Sequence, residues 1–333
     1  MEILDSRCQI QFRLLKTIGM KRVLVSMTYS FLWLISLLPL RLLYLFSDII
    51  WIVMFLCPPL RYRRNVVWKN LRTSFPDKGV KELKRIERRF YRQFLDQIFE
   101  MFKSASMPGW WMRRHMRFEG TDILEKEFSQ GRSIVMYLGH TGNWEWISSL
   151  PLNLDGNAVC CQVYHPLENA VTDSIMLKLR SRYGAESIAM KHVLRTLLGY
   201  RKAGKQFVVG MIADQVPLWW DIHYWTDFLN HNTPVLSGSE QIIRKMDLCA
   251  CYGHISRLRR GHYVLKVVPM FSRAEGIEEF GITEKYFRLL EDNIRETPEL
   301  WLWSHNRWKR TWEGYQKWLK TRLRSNKRDS EKE

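Results

Sequence analysis

Several catalytic signatures are missing from this 333-residue chain. There is no Gly-x-Ser-x-Gly, which excludes a nucleophile-elbow hydrolase, and no His-Glu-x2-His, which excludes that class of zinc site. The six cysteines, Cys8, Cys57, Cys160, Cys161, Cys249 and Cys251, include no Cys-x2-Cys pair. They read as buried thiols of a reducing compartment, and no metal is expected. Gly199 to Gln206 comes within one residue of a Walker A loop, but Gln206 stands where Ser or Thr would bind the cation. Its context is also helix-then-strand, the reverse of what a phosphate loop needs. No Ala-x-Ala-like site follows the N-terminal apolar region, which argues against a cleaved signal peptide.

Acidic residues are scarce. Lys and Arg number 52 against 34 Asp and Glu, a net charge of +18. Such an excess calls for an anionic partner, nucleic acid or a phosphate-bearing membrane surface. No nucleic-acid recognition motif accompanies the charge, and fifteen tryptophans favour the membrane, where indoles gather at the interface.

From Val23 to Leu40 no residue is charged, and after Arg41 a second apolar run reaches Leu60 with only Asp48 inside it. Eighteen uncharged residues meet the lower limit for a membrane span, yet Pro39 and Arg41 interrupt what would be one long helix. One tilted span and two interfacial helices both remain open. Lys16, Lys21 and Arg22 precede the run, and Arg61, Arg63, Arg64 and Lys69 follow it, so charge gives no orientation. Val80 to Lys103 carries Leu83, Ile86, Phe90, Phe94, Ile98 and Phe102 at helical spacing, a packing helix with Glu100 on its edge and a basic opposite face.

The chain is organised around Ser133 to Trp146. An apolar run of strand formers ends at His140; Asn143 is placed to cap a helix beginning near Trp144. On one helix His140 and Glu145 would lie about 140° apart, but a strand-to-helix turn lets them meet. A histidine with a carboxylate in reach makes a general base, the carboxylate fixing the tautomer. Gly142 lets backbone approach a substrate. A second apolar strand, Phe207 to Ile212, ends in another polar tip, Ala213-Asp214-Gln215.

Gly139-His140-Thr141-Gly142-Asn143-Trp144-Glu145 resembles the signature block of the bacterial lipid A biosynthesis acyltransferases, lauroyl and myristoyl transferases of the lysophospholipid acyltransferase superfamily, which use a His-x4-Asp/Glu pair. The resemblance continues through Arg61 to Leu71 with Ser74-Phe75-Pro76, through Asp214-Gln215, through Phe228 to Gly238 and through Trp301 to Lys309, covering roughly residues 30 to 310 in order. It implies an α/β fold with a central mixed β-sheet flanked by helices, glycerolipid-acyltransferase-like, behind an N-terminal membrane-anchor helix or helical hairpin. The division it suggests is residues 1–60 as anchor, 61–310 as catalytic domain and 311–333 as a basic tail.

By the same resemblance His140 and Glu145 are the catalytic pair, and Gly142, Asn143, Arg180, Asp214, Gln215 and Arg307 contact or support substrate. Arg180 and either Arg307 or Lys309 are expected to meet acceptor phosphate. Thr233 and Pro234 are expected to open a helix. The donor would be acyl carrier protein, and the acceptor a phosphorylated glycolipid, a lipid A precursor or another glycolipid or lysolipid of the superfamily. The enzyme would need no cofactor and would sit at the bacterial inner membrane, its catalytic domain on the cytoplasmic face. A membrane scaffold that keeps the fold without chemistry is the other reading.

Overall fold

The computed structural model describes residues 21–60, 62–156 and 158–330; Cys8, Lys16, Arg61 and the last three residues of the basic tail lie outside them. Seven strands form one mixed sheet. These are β1 (Met116–Glu119), β2 (Ile134–Leu138), β3 (Val159–Tyr164), β4 (Glu186–Ala189), β5 (Phe207–Ile212), β8 (Cys249–Arg259) and β9 (His262–Phe271). Their order across the sheet is β1-β9-β8-β2-β5-β3-β4. β8, β2, β5, β3 and β4 run parallel, while β9 turns back on β8 as a hairpin and carries β1 parallel to itself.

All five residues of the central strand β2 are buried, as a parallel strand covered on both faces requires. Val135 and Tyr137 pack into one core with Val209, Tyr252, Tyr286 and Phe287, and the alternate residues Ile134, Met136 and Leu138 into another with Trp146, Leu150 and Val208. The period of two along the strand thus divides the two cores between the sheet's faces.

Helices cover both sides. Two apolar helices, α1 (Lys21–Ser36) and α2 (Leu40–Leu56), meet at 102°, and among the described residues no single helix is long and apolar enough to cross a membrane. The break falls where Pro39 stands, a residue whose ring excludes it from a helix interior. There follow α3 (Arg64–Ser74), α4 (Val80–Lys103), α5 (Gly109–His115), α6 (Thr121–Ser129), α7 (Ala170–Arg180), α8 (Val193–Lys202), α9 (Gly238–Met246), α10 (Gly281–Glu296) and α11 (Trp312–Ser330).

Thr233 and Pro234 do not open a helix; they lie in β7 (His231–Val235), which pairs antiparallel with β6 (Tyr224–Phe228) in a separate two-stranded ribbon. Leu229 and Asn230, with φ of 51° and 64°, make the two-residue turn whose twist suits a hairpin. A two-stranded ribbon has only edges, so Pro234 fits without breaking a central ladder. The next helix begins at Gly238.

Candidate active site

Parallel pairing sets the site. Leu138 on β2 is in register with Ile212 on β5, so the residues two places further on, His140 and Asp214, arrive side by side at the sheet's end. The Asp214 carboxylate, 2% exposed, accepts the His140 backbone N–H at 2.8 Å and pairs with the His140 ring Nδ1 at 2.5 Å. The indole Nε1 of Trp301 donates to the same carboxylate at 2.8 Å. Burial acts to raise the Asp214 pKa, but the neighbouring imidazole, the two His140 hydrogen bonds and the Trp301 donor outweigh it and hold it at about 2.

A carboxylate on Nδ1 fixes the tautomer that keeps the proton there and leaves Nε2 basic. That nitrogen lies 3.2 Å from the Gln215 side-chain amide, which can donate to it. The Trp144 indole stands edge-on to the imidazole, ring centres 5.1 Å apart. His305, close behind, accepts the Val216 backbone N–H, and burial lowers its pKa to about 4, keeping it neutral near pH 7.

The expected partnership of His140 with Glu145 is therefore corrected. Asn143 does cap the segment after the turn, its side chain accepting from the Trp146 N–H, but Trp144–Asn153 is a 3-10 helix with Pro151 inside it. This segment carries Glu145 to the end of α7, where Arg180 grips it with two hydrogen bonds of 2.7 and 2.8 Å. Nδ1 of His140 is already taken by Asp214. Arg180 and His140 line one cavity, with Nε and one terminal nitrogen of Arg180 committed to Glu145.

Three other expected substrate contacts turn inward. Asn143 is fully buried, its oxygen on the Trp146 N–H and its amide donating to Glu100 at 2.7 Å. Gly142, at φ +56°, donates its N–H to the Leu300 carbonyl, and a Cβ there would come within 2.7 Å of Ile255. Gly142→Ala should therefore cost about 1–3 kcal/mol from the left-handed backbone and the overlap, read as a lowered midpoint of thermal unfolding. Arg307 is fully buried and donates to the Pro234 carbonyl at 2.8 Å, with burial lowering its pKa to about 10; it is closed off from any phosphate in solvent. Lys309 is exposed.

His140, Trp144, Glu145, Arg180 and Gln215 line a cavity of about 880 Å3. The rest of its wall is largely apolar and includes Leu138, Ile147, Leu150, Val208 and Ile212. Such a volume lies in the range that holds a small-molecule or lipid-chain ligand. Cys160 and Cys161 also reach this wall, but burial pushes both thiols up, Cys160 to about 12, so neither is a ready thiolate. Cys57, expected to be buried, is exposed at the end of α2. Among the described residues no cluster of three or more His, Cys, Asp or Glu side chains is arranged to hold a metal ion.

Sequence reasoning found both polar strand tips and missed that they meet. Two apolar strands of similar length, each followed by a polar residue at the same offset, are the signal that would have paired them. The roles of Trp301 and Glu100 had no local signal.

A family model described as "Bacterial lipid A biosynthesis acyltransferase" matches residues 11–310. Compared with curated proteins, the chain matches none.

Proposed function

Since the chain belongs to the bacterial lipid A biosynthesis acyltransferases, we propose that it moves a fatty acyl chain from the thioester of acyl carrier protein to a hydroxyl of a phosphorylated lipid A precursor, with His140 as general base and Asp214 as its orienting carboxylate. The observation that carries this reading is the His140–Asp214 pair, 2.5 Å apart, with His140 in the wall of a large, mostly apolar cavity.

Nε2 of His140 takes the proton from the acceptor hydroxyl as its oxygen attacks the thioester carbonyl. The tetrahedral intermediate collapses with cleavage of the carbon–sulfur bond, and the imidazolium returns its proton to the leaving thiolate. Asp214 stabilises the imidazolium in between without itself taking the proton. The backbone N–H groups of His140 and Gly142 are both engaged elsewhere, and the Gln215 amide, 3.2 Å from Nε2, is the donor assigned to the developing oxyanion. The acyl chain lies along the apolar wall. Arg180, held by Glu145, faces the acceptor's phosphate as a guanidinium fixed in orientation.

The N-terminal helices support membrane association. Outward faces of α1 and α2 leave Met27, Phe31, Leu34, Leu45, Ile49 and Leu56 open, an apolar surface unlike that of a soluble monomer. Bent at 102°, the pair suits insertion into one leaflet with basic residues at the headgroups.

The test is transfer by the purified full-length protein in lipid nanodiscs, supplied with acyl carrier protein or coenzyme A thioesters and a phosphorylated lipid A precursor or a lysophospholipid. Mass spectrometry should find the acylated lipid A precursor, formed faster from the carrier-protein thioester. Acylation of the lysophospholipid alone would overturn the acceptor assignment.

A further inference from the structure

Glu100 lies in the last part of α4, four residues before its C-cap, and is fully buried. Three side chains from three different elements point donors at its carboxylate. Tyr44 of α2 donates at 2.6 Å, Asn143 of the histidine turn at 2.7 Å and Tyr263 of β9 at 2.9 Å. The Tyr263 hydroxyl itself accepts from the Gln93 amide, so its own proton is directed to Glu100. Burial pushes the carboxyl up to about 7, opposed by the hydrogen bonds from Tyr44, Asn143 and Tyr263.

The consequence is positional. Asn143 is clamped at both ends of its amide, by Glu100 on one side and the Trp146 N–H on the other. The next two residues are Trp144, edge-on to the His140 ring, and Glu145, which holds Arg180. The Trp146 indole also donates to the backbone carbonyl of Glu100 itself. Displacing Asn143 therefore displaces the indole against the base and the carboxylate that orients the guanidinium. Glu100 touches neither base nor cavity; it acts through Asn143.

We propose that Glu100 is a positioning residue for the histidine turn, and that Tyr44 makes the docking of α2 part of that hold, so the apolar helix pair conditions turnover as well as location. This rests on the acyltransferase reading of His140.

The test is a charge-swap pair in the full-length protein in nanodiscs, with a readout independent of turnover. Asn143→Asp removes the amide donor and sets a second carboxyl against Glu100, so the pair either repels or takes up a proton and the clamp on the turn is lost either way; kcat should fall roughly 100-fold, the scale of a misplacement of about 1 Å. Adding Glu100→Gln turns a donor toward the introduced carboxylate while the Gln oxygen still accepts from Tyr44; kcat should return to within about ten-fold of the original, a rescue no general loss of stability produces. Hydrogen exchange of the 139–153 segment should quicken in Asn143→Asp and slow again in the double variant. In Tyr44→Phe, which removes one hydroxyl, it should quicken about ten-fold.

A double variant no better than Asn143→Asp in either readout, or Tyr44→Phe with unchanged exchange across 139–153, overturns the proposal. If Asn143→Asp does not fold, the exchange of Tyr44→Phe decides alone. Exchange that follows this pattern in a protein that transfers no acyl group supports the hold and sinks the function.

Discussion

Asp214→Asn is expected to lower kcat about 10²- to 10⁴-fold, close to the loss in His140→Ala, while leaving the fold intact. Asparagine fills the same space and can still accept from Trp301 or the His140 backbone. What it loses is a charge, and with its amide turned to the ring it donates to Nδ1 in place of accepting. The imidazole is then driven to the tautomer with its proton on Nε2, the atom meant to receive one. Substrate binding uses other groups, so KM should change little, the pattern of an interaction made in the transition state.

Glu145→Gln makes the contrast. It weakens the hold on Arg180, so the loss should appear mainly in KM for the phosphorylated acceptor. If Glu145→Gln removed turnover as completely as Asp214→Asn was expected to, and Asp214→Asn kept full activity, the assignment of the orienting carboxylate would be overturned. The stability counterpart has a definite sign. Asp214 has a folded pKa of about 2, below the ordinary value of 3.8, so the stabilisation it brings is present above that higher value and lost as pH falls through about 2. Asp214→Asn should unfold with a flatter pH dependence across that window.

Apolar runs and the polar residues that end them placed the two strands that carry the site. Phe207–Ile212 is a strand with the expected bounds, and Val80–Lys103 a single helix, because long periodic runs leave few alternatives. What was not legible was neighbourhood. His140 and Asp214 are 74 residues apart, and only the parallel register of β2 on β5 makes them adjacent. His140 and Glu145 are close in sequence, and that closeness suggested a pairing which the 3-10 segment undoes by aiming Glu145 at α7.

Arg307 shows the same limit. The resemblance alone placed Arg307 at the acceptor phosphate; in the fold it is sealed behind β7 with a backbone carbonyl. Glu100 reads as the polar edge of an amphipathic helix because its three donors come from residues 44, 143 and 263. No local pattern encodes such a convergence.

Deleting residues 1–56 is expected to remove the folded protein and not to release a soluble enzyme. A simple anchor could be cut away, but α2 carries two different faces. Outward it is apolar and open; inward, Leu43 and Ser47 are fully buried and Tyr44 and Met54 nearly so against α4 and the β8–β9 hairpin. The inward contacts form a polar ladder. Ser47 donates to Asp96 at 2.7 Å, Asp48 pairs with Arg92 and with Arg260, and Arg260 bridges to Asp96, while Trp51 donates to the Arg88 carbonyl.

Loss of the buried Leu43, Tyr44 and Met54 side chains alone removes on the order of 5 kcal/mol of burial, a large part of the roughly 5–15 kcal/mol by which a domain is stable. The ladder adds to this, because Asp96 and Glu100 lose the Ser47 and Tyr44 donors that satisfy them. The deletion should therefore give aggregated protein or none, even in detergent. A monodisperse 57–333 fragment that unfolds cooperatively at the full-length midpoint and turns over detergent-dispersed substrate would show α2 to be a detachable tether. The same result would contradict the Tyr44–Glu100 hold, since both require α2 to belong to the body that carries the base.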